Sequence, residues 1–153
     1  MKVRDAMTVS EAACEFNTSL RLADQLMLDH DCAPIPVTSS GKLIGIITDR
    51  DIACRAVAAR NDAPLIPVSS FMSQPVIAIG PDDSLEKAIA LMEENAIHHL
   101  PVIGTDGTLV GMLAQSDIGR RMTNREFGAL ARMTSIRSRH TRRFVSALMK
   151  SEH

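Results

Sequence analysis

The chain repeats itself. Displacing its first half by 65 residues lays Val3, Met7, Ser19, Leu20, Ala23, Leu26, Met27, Pro36 and Val37 over Val68, Met72, Ser84, Leu85, Ala88, Leu91, Met92, Pro101 and Val102. One extra residue then enters a turn. At a displacement of 66, Gly41, Leu43, Gly45, Asp51, Ile52 and Arg55 fall on Gly107, Leu109, Gly111, Asp117, Ile118 and Arg121. Two copies of this length are too few for a solenoid. The pattern predicts two like units packed about a pseudo-twofold axis, with a cleft between them.

Bulk properties narrow the class. At 153 residues the chain fits one ordinary domain, or two small ones sharing a core. A hydrophobic fraction of 45% and a charged fraction of 23% are those of a soluble globular protein. Without Trp or Tyr, the core must be built from Leu, Ile, Val, Met and Ala. Apolar runs fall far short of the ~20 residues that span a bilayer, which predicts no membrane association. The segment MKVRDAMTVSEAA lacks the apolar stretch of a secretory leader. Cys14, Cys32 and Cys54 are odd in number and lack CxxC spacing. Neither a disulfide framework nor a metal site is expected, and a cytoplasmic location is. Charge divides sharply along the chain. Residues 1–118 carry 8 Lys and Arg against 16 Asp and Glu, a net −8, whereas residues 119–153 carry 9 against 2, a net +7.

Each repeat reads helix, strand, turn, strand, helix, an α+β class (an α/β sandwich of small sheets and helices). In the first, Thr18 or Ser19 caps a helix from about Leu20 to Asp29. Ile35–Thr38 and Leu43–Ile47 form a hairpin about Ser39–Lys42, and a helix follows from Asp49 to about Ala59. In the second, Asp83 with Glu86 resembles a capping box. Leu85, Ala88, Ile89, Met92 and Ala96 give the apolar stripe of a helix. Strands His98–Ile103 and Leu109–Ala114 flank the turn Thr105–Gly107, and another helix begins near Asp117. A segment leads into each repeat: Val76–Ile79 reads as a clear strand, and its partner Glu11–Phe16 as a weaker one. Pro64 and Pro67 mark a linker. The divisions expected are 1–66, 67–122 and a basic tail, 123–153. In the tail Phe127, Leu130, Ile136, Phe144 and Leu148 recur at helical spacing among arginines.

Two sets of residues could carry chemistry. Thr48-Asp49-Arg50-Asp51 follows a strand and opens a helix, where unpaired backbone N–H groups suit a phosphate. An ionised Asp51 accepts hydrogen bonds only, and its two oxygens match the paired hydroxyls of a ribose. Thr-x-x-Asp is equally close to a capping box that closes the helix without any ligand. The matching residues of the second repeat are Ala114 and Asp117. Ala114 cannot cap, yet the acid remains, which tilts the reading modestly toward a ligand. His98 and His99 form the other set. Neighbours on a strand face opposite ways, so they cannot readily clamp one metal ion. On one reading one is solvated and the other packed; on the other, one of them meets an anionic ligand. The glycines 104, 107 and 111 lack the ending of a phosphate loop. No nucleophile–base set stands out, so no enzymatic activity is expected.

The two hairpins resemble a tandem pair of CBS domains, the module named after cystathionine β-synthase. The likeness covers about residues 1–122. It rests on Pro36-Val37 and Gly41-Lys42-Leu43-Ile44-Gly45-Ile46-Ile47-Thr48-Asp49-Arg50-Asp51-Ile52, and on His99-Leu100-Pro101-Val102, Gly107-Thr108-Leu109-Val110-Gly111-Met112-Leu113 and Asp117-Ile118. The resemblance implies a regulatory module that holds an adenosine-containing ligand (AMP, ATP, NAD or S-adenosylmethionine) as effector, with no cofactor required. It implies one site from Thr48, Asp51, Ile77, Ile97, His98, His99 and Pro101. There Asp51 would hold the ribose, Thr48 and a histidine the phosphate side, and Ile97 with Pro101 the adenine. A second site would use Asp117 with Ala33, Pro34, Ile35 and Pro36. Ala114 departs from the pattern there, and that facing strand brings no basic side chain. The resemblance also implies a homodimer, paired through apolar helix surface at Met7, Met72, Ile118 and Met122. The alternative function is nucleic-acid binding through the arginines of the tail.

Overall fold

The computed structural model describes residues 1–9, 12–30, 34–56 and 65–122. The tail, Ala33, Cys32 and most of the linker lie outside the described residues, and so do the expectations placed on them. The elements in chain order are α1 (Val3–Ala6), β1 (Cys14–Glu15), α2 (Leu20–His30), β2 (Ile35–Ser39), β3 (Lys42–Ile47) and α3 (Asp49–Asp51). A π-helical turn, Ile52–Ala56, continues α3. A 3-10 turn (Val68–Ser70), α4 (Leu85–Asn95), β4 (His99–Ile103), β5 (Leu109–Ala114) and α5 (Gln115–Arg121) complete the order.

These elements form two compact units. Of the described residues, the first holds those of Met1–Thr8, Ile79–Val102 and Gly111–Met122, and the second those of Val9–Ala78 and Ile103–Val110. The units are not contiguous stretches of sequence, because the segment ahead of each repeat packs in the unit of the other. Matched hydrogen bonds show this. In the first unit Val3 N donates to Asp83 O (2.9 Å), Leu85 N to Met1 O (3.2 Å) and Met7 N to Val3 O (2.9 Å). In the second, Val68 N donates to Thr18 O (2.8 Å), Leu20 N to Ile66 O (2.9 Å) and Met72 N to Val68 O (2.8 Å). Every donor and acceptor of one set maps onto the other by the displacement of 65 residues.

The second unit contains the sheet β1-β2-β3. Strands β2 and β3 run antiparallel with Ile35 opposite Ile47 and Val37 opposite Gly45, and a bulge follows Val37. Strand β1 lies parallel to β2, pairing Cys14 with Val37 and Glu15 with Thr38. That register begins one residue past Pro36, whose missing N–H therefore disturbs no bond to β1. The hairpin turn places Gly41 at φ +80°, and the turn of β4–β5 places Gly107 at φ +85°, a backbone region that side chains disfavour. The two tips bond reciprocally, Leu43 N to Gly107 O (3.1 Å) and Leu109 N to Gly41 O (3.0 Å).

Burial repeats as the sequence does. Val3, Leu20, Ala23, Met27, Val37 and Ile47 are buried, and so are their counterparts Val68, Leu85, Ala88, Met92, Val102 and Leu113. Within α2 the buried Leu20, Ala23 and Met27 stand at helical spacing, which is why this segment is a helix with one face in the core. Around them gather Cys14, Ile35, Val68 and Phe71. Each fully buried Leu or Ile contributes about 1.5–3 kcal/mol. Glycine is required at one matched pair for closeness: a Cβ on Gly45 would collide with Met72 Sδ, and one on Gly111 would sit 2.7 Å from Thr8 O.

The structure departs from the sequence reading at several points. Val76–Ala78 is not strand: only Ile79 forms a bridge, parallel to Val102, through its N–H to Pro101 O (3.0 Å). The weaker candidate supplies β1, because Phe16 N also reaches a carbonyl of β2, Thr38 O, at 2.9 Å. Ser84, not Asp83, caps α4, accepting from Lys87 N (3.2 Å). Asp83 closes the preceding turn instead, accepting from Gly80 N (2.9 Å). Ala96 is not on the apolar stripe; it ends α4 in the left-handed region at φ 53°. The last helix starts at Gln115, two residues early. Ile118 is fully buried, so it is not spare surface for a partner.

Candidate functional site

The junction of β3 and α3 is a complete capping box. Thr48 has extended backbone (φ −110°, ψ 161°) and its Oγ1 accepts from Asp51 N at 3.0 Å. In return Thr48 N donates to Asp51 Oδ2 at 3.0 Å. The Ser73 hydroxyl donates to the same carboxylate, 3.2 Å from Oδ1 and 3.3 Å from Oδ2. Asp51 is 9% exposed, one of two polar side chains in the interior among the described residues. Such an ionised group is tolerated because hydrogen bonds satisfy it. The neighbouring Asp49 and Arg50 are exposed.

The junction of β5 and α5 keeps half of this device. Ala114 N donates to Asp117 Oδ2 at 2.9 Å, but Ala114 offers no oxygen to the helix in exchange. Asp117 also faces Arg120 Nη2 at 3.5 Å. The acid at 117 therefore has a structural reason to be there. Its presence beside Ala114 does not by itself argue for a ligand, which corrects the inference drawn from the sequence.

His98 and His99 divide as strand neighbours should. His98 is exposed, and its Nδ1 lies 2.6 Å from Gln115 Oε1. With that oxygen as acceptor, Nδ1 carries the proton. The main chain locks the pair further, Gln115 N donating to His98 O at 2.9 Å. His99 is half-buried. Burial pushes its pKa below 6.5, His98 adds to the effect, and Asp117 opposes it. His99 is thus a neutral imidazole at pH 7.

The remaining candidates are placed as follows. Thr48, Asp51, Ile77 and Pro34–Pro36 belong to the second unit; Ile97, His98, His99, Pro101 and Asp117 belong to the first. Ile77, Ile97 and Pro34 are half-buried, whereas Ile35, Pro36 and Pro101 are buried. Two residues escaped the sequence reading, Ser73 and Gln115. Ser73 had a signal: it follows Met72 as Thr8 follows Met7, so both repeats carry a hydroxyl there. Gln115 had none, since the matching residue is Asp49. Among the described residues no three His, Cys, Asp or Glu side chains gather as metal ligands. Cys14 is buried, and its thiol is pushed up to about 11 by burial and by Glu15, which makes it unreactive.

The family model of the CBS domain matches twice, over residues 3–56 and 68–124. The chain belongs to the CBS-domain family. A CBS domain-containing protein, YhcV, of Bacillus subtilis (strain 168) is 38% identical over 128 residues, covering 83% of this chain and 90% of that protein. Among solved structures, Hypoxic Response Protein I with two coordinated zinc ions superposes with a TM-score of 0.74 at 27% identity, covering 80% of this chain and 100% of the other. The CBS domain pair of protein MJ0100, in complex with 5-methylthioadenosine and S-adenosyl-L-methionine, superposes with a TM-score of 0.69 at 26% identity, covering 78% and 98%. A homoserine O-acetyltransferase of Methanocorpusculum labreanum is 35% identical over 119 residues, but the match takes in only 23% of that enzyme. Two CBS repeats, small sheets with helices, are therefore the architecture of this chain. Among the described residues no helix is long and apolar enough to cross a membrane.

Proposed function

We propose that this CBS-domain protein is a regulatory module that binds an adenosine-containing nucleotide and is not itself an enzyme. The carrying observation is Asp51: a nearly buried carboxylate at the end of a strand, oriented by Thr48 N and Ser73 Oγ. A carboxylate fixed in this way can accept the two hydroxyls of a ribose. The MJ0100 pair, of like fold, was solved with two adenosyl compounds. We give Asp51 the ribose, Thr48 with His98 or His99 the phosphate side, and Ile97 with Pro101 the base, with Ile77 beside them. Pro34, Ile35, Pro36 and Asp117 serve at most a weaker second site, because Ala114 breaks the motif. The acetyltransferase resemblance leaves most of that enzyme without counterpart here, in keeping with a binding role. An exposed free thiol, Cys54, suits a reducing cytoplasm.

Titration calorimetry with AMP, ATP, NAD and S-adenosylmethionine tests the reading. The expected result is about one tight site per chain for at least one of the four. Failure of all four to bind would overturn it. We further propose a homodimer. Exposed Leu22 (58%) and Leu28 (69%) on α2 have no apolar cover among the described residues, and twofold pairing is the commonest association. Light scattering at micromolar concentration should give twice the chain mass; the monomer mass would count against it.

A further inference from the structure

We propose that Ser73 is a positioning residue for Asp51, and that through Asp51 it sets how strongly the protein prefers a ribonucleotide over a deoxyribonucleotide. The inference rests on the reading of Asp51 as the ribose acceptor. Its own basis is geometric. A carboxylate held by one backbone N–H can still turn about its last torsion, which is broad for an Asp side chain. The bond from Thr48 N to Oδ2 is one such anchor. Ser73 Oγ supplies another, lying within 3.3 Å of both oxygens. These two contacts, from different directions, constrain the plane of the carboxylate.

Ser73 is itself held. Its N–H donates to Ile46 O at 2.8 Å, and Ile46 N donates to Ser73 O at 3.2 Å. Ile46 lies two residues ahead of Thr48, so these two anchors are built on one strand end. The other repeat shows that this backbone pair does not require the side-chain bond. Thr8, the counterpart of Ser73, exchanges the same two hydrogen bonds with Met112, both at 2.9 Å. Yet Thr8 is exposed, and among the described residues no hydrogen bond joins it to Asp117. Hydroxyl, threonine and acid occur together only where the capping box is complete.

The experiment measures the affinities of AMP and 2′-deoxy-AMP by calorimetry for wild type, Ser73→Ala, Ser73→Thr, Asp51→Ala and the double variant Ser73→Ala/Asp51→Ala. Ser73→Ala should weaken AMP about tenfold, and 2′-deoxy-AMP by clearly less, because that ligand brings only its 3′-hydroxyl to Asp51. Ser73→Thr, which restores the hydroxyl, should recover most of the preference. In the Asp51→Ala background the Ser73 change should add nothing. If Ser73→Ala weakens both nucleotides equally, its role is structural and the proposal is overturned. If it binds both as wild type does while Asp51→Ala is impaired, Ser73 is not a positioning residue, and the reading of Asp51 survives. If Asp51→Ala binds AMP as wild type does, or wild type binds no AMP, that reading is overturned and the inference with it.

Discussion

At the β3–α3 junction Asp51 is nearly buried, completes a reciprocal cap with Thr48, and takes a hydroxyl from Ser73. At the β5–α5 junction Asp117 is half-buried and, among the described residues, makes the return bond to Ala114 N and leans on an exposed Arg120. The strand end before each junction makes the same two backbone bonds, Ile46 with Ser73 and Met112 with Thr8. Four side chains differ: Thr48 against Ala114, Asp49 against Gln115, Arg50 against Ser116, and Ser73 against Thr8. Duplication has preserved the skeleton, which depends on buried positions and glycines, while the polar chemistry hung on it has diverged. The contrast separates two jobs of one acid. At 117 it closes a helix; at 51 it does that and has a second polar partner from outside the helix.

The largest expected effect breaks the comparison at its centre. Asp51→Ala should lower nucleotide affinity by tenfold or more, and Asp117→Ala by less than about twofold, because hydrogen bonds to a charged acceptor contribute about 1.5–3 kcal/mol. Calorimetry on the two variants side by side checks this, and equal losses would mean that both junctions bind alike. Next in size are the caps. Thr48→Ala should destabilise the fold by about 1 kcal/mol, and Ala114→Thr, which rebuilds the missing half, should add up to about 1 kcal/mol. Urea denaturation midpoints for the pair should move in opposite directions. If Ala114→Thr stabilises nothing, the half-box is already as good as the whole.

The smallest effect concerns His99. Its pKa is depressed in the folded protein, so below 6.5 the unfolded chain binds more protons than the native one. Stability is complete above that pH and declines as the pH falls through it. Wild type should therefore lose more stability between pH 7.5 and 5.5 than His99→Gln does. The depressed carboxylates of Asp82, Asp83 and Asp106, drawn down by Lys2, Lys87 and Thr108 respectively, respond only near or below their ordinary value of 3.8 and affect both proteins alike. Matching pH profiles for the two proteins would show that folding does not lower the pKa of His99.

Much of the fold was legible because the repeat doubles every signal. The hairpin strands, both long helices and the glycine turns follow from periodicity and turn residues within a residue or two. Val76–Ile79 misled because β-branched residues make a strand only where a neighbour offers bonding groups, and Ile79 alone finds one. The cap of α4 went to Ser84 because Asp83 was engaged by the turn at Gly80, a competition that spacing does not show. Thr48 and Asp51 were legible as a motif, and their mutual bonds are those the motif allows. Ser73 was not, since it lies 22 residues along the chain from Asp51 and meets it only through tertiary structure.

The interleaving of the two units has a consequence for synthesis. Val3, fully buried, bonds to Asp83, and Met1 O receives Leu85 N. Residues 1–8 must therefore wait until those from 79 onward have been made before they reach their places. The strand ending in Ala114 and the helix after it come later still. The second unit can gather most of its parts earlier, needing only residues 103–110 from downstream. The order of completion is thus written into the path of the chain. Substitutions in residues 1–8 would act on the unit that closes last.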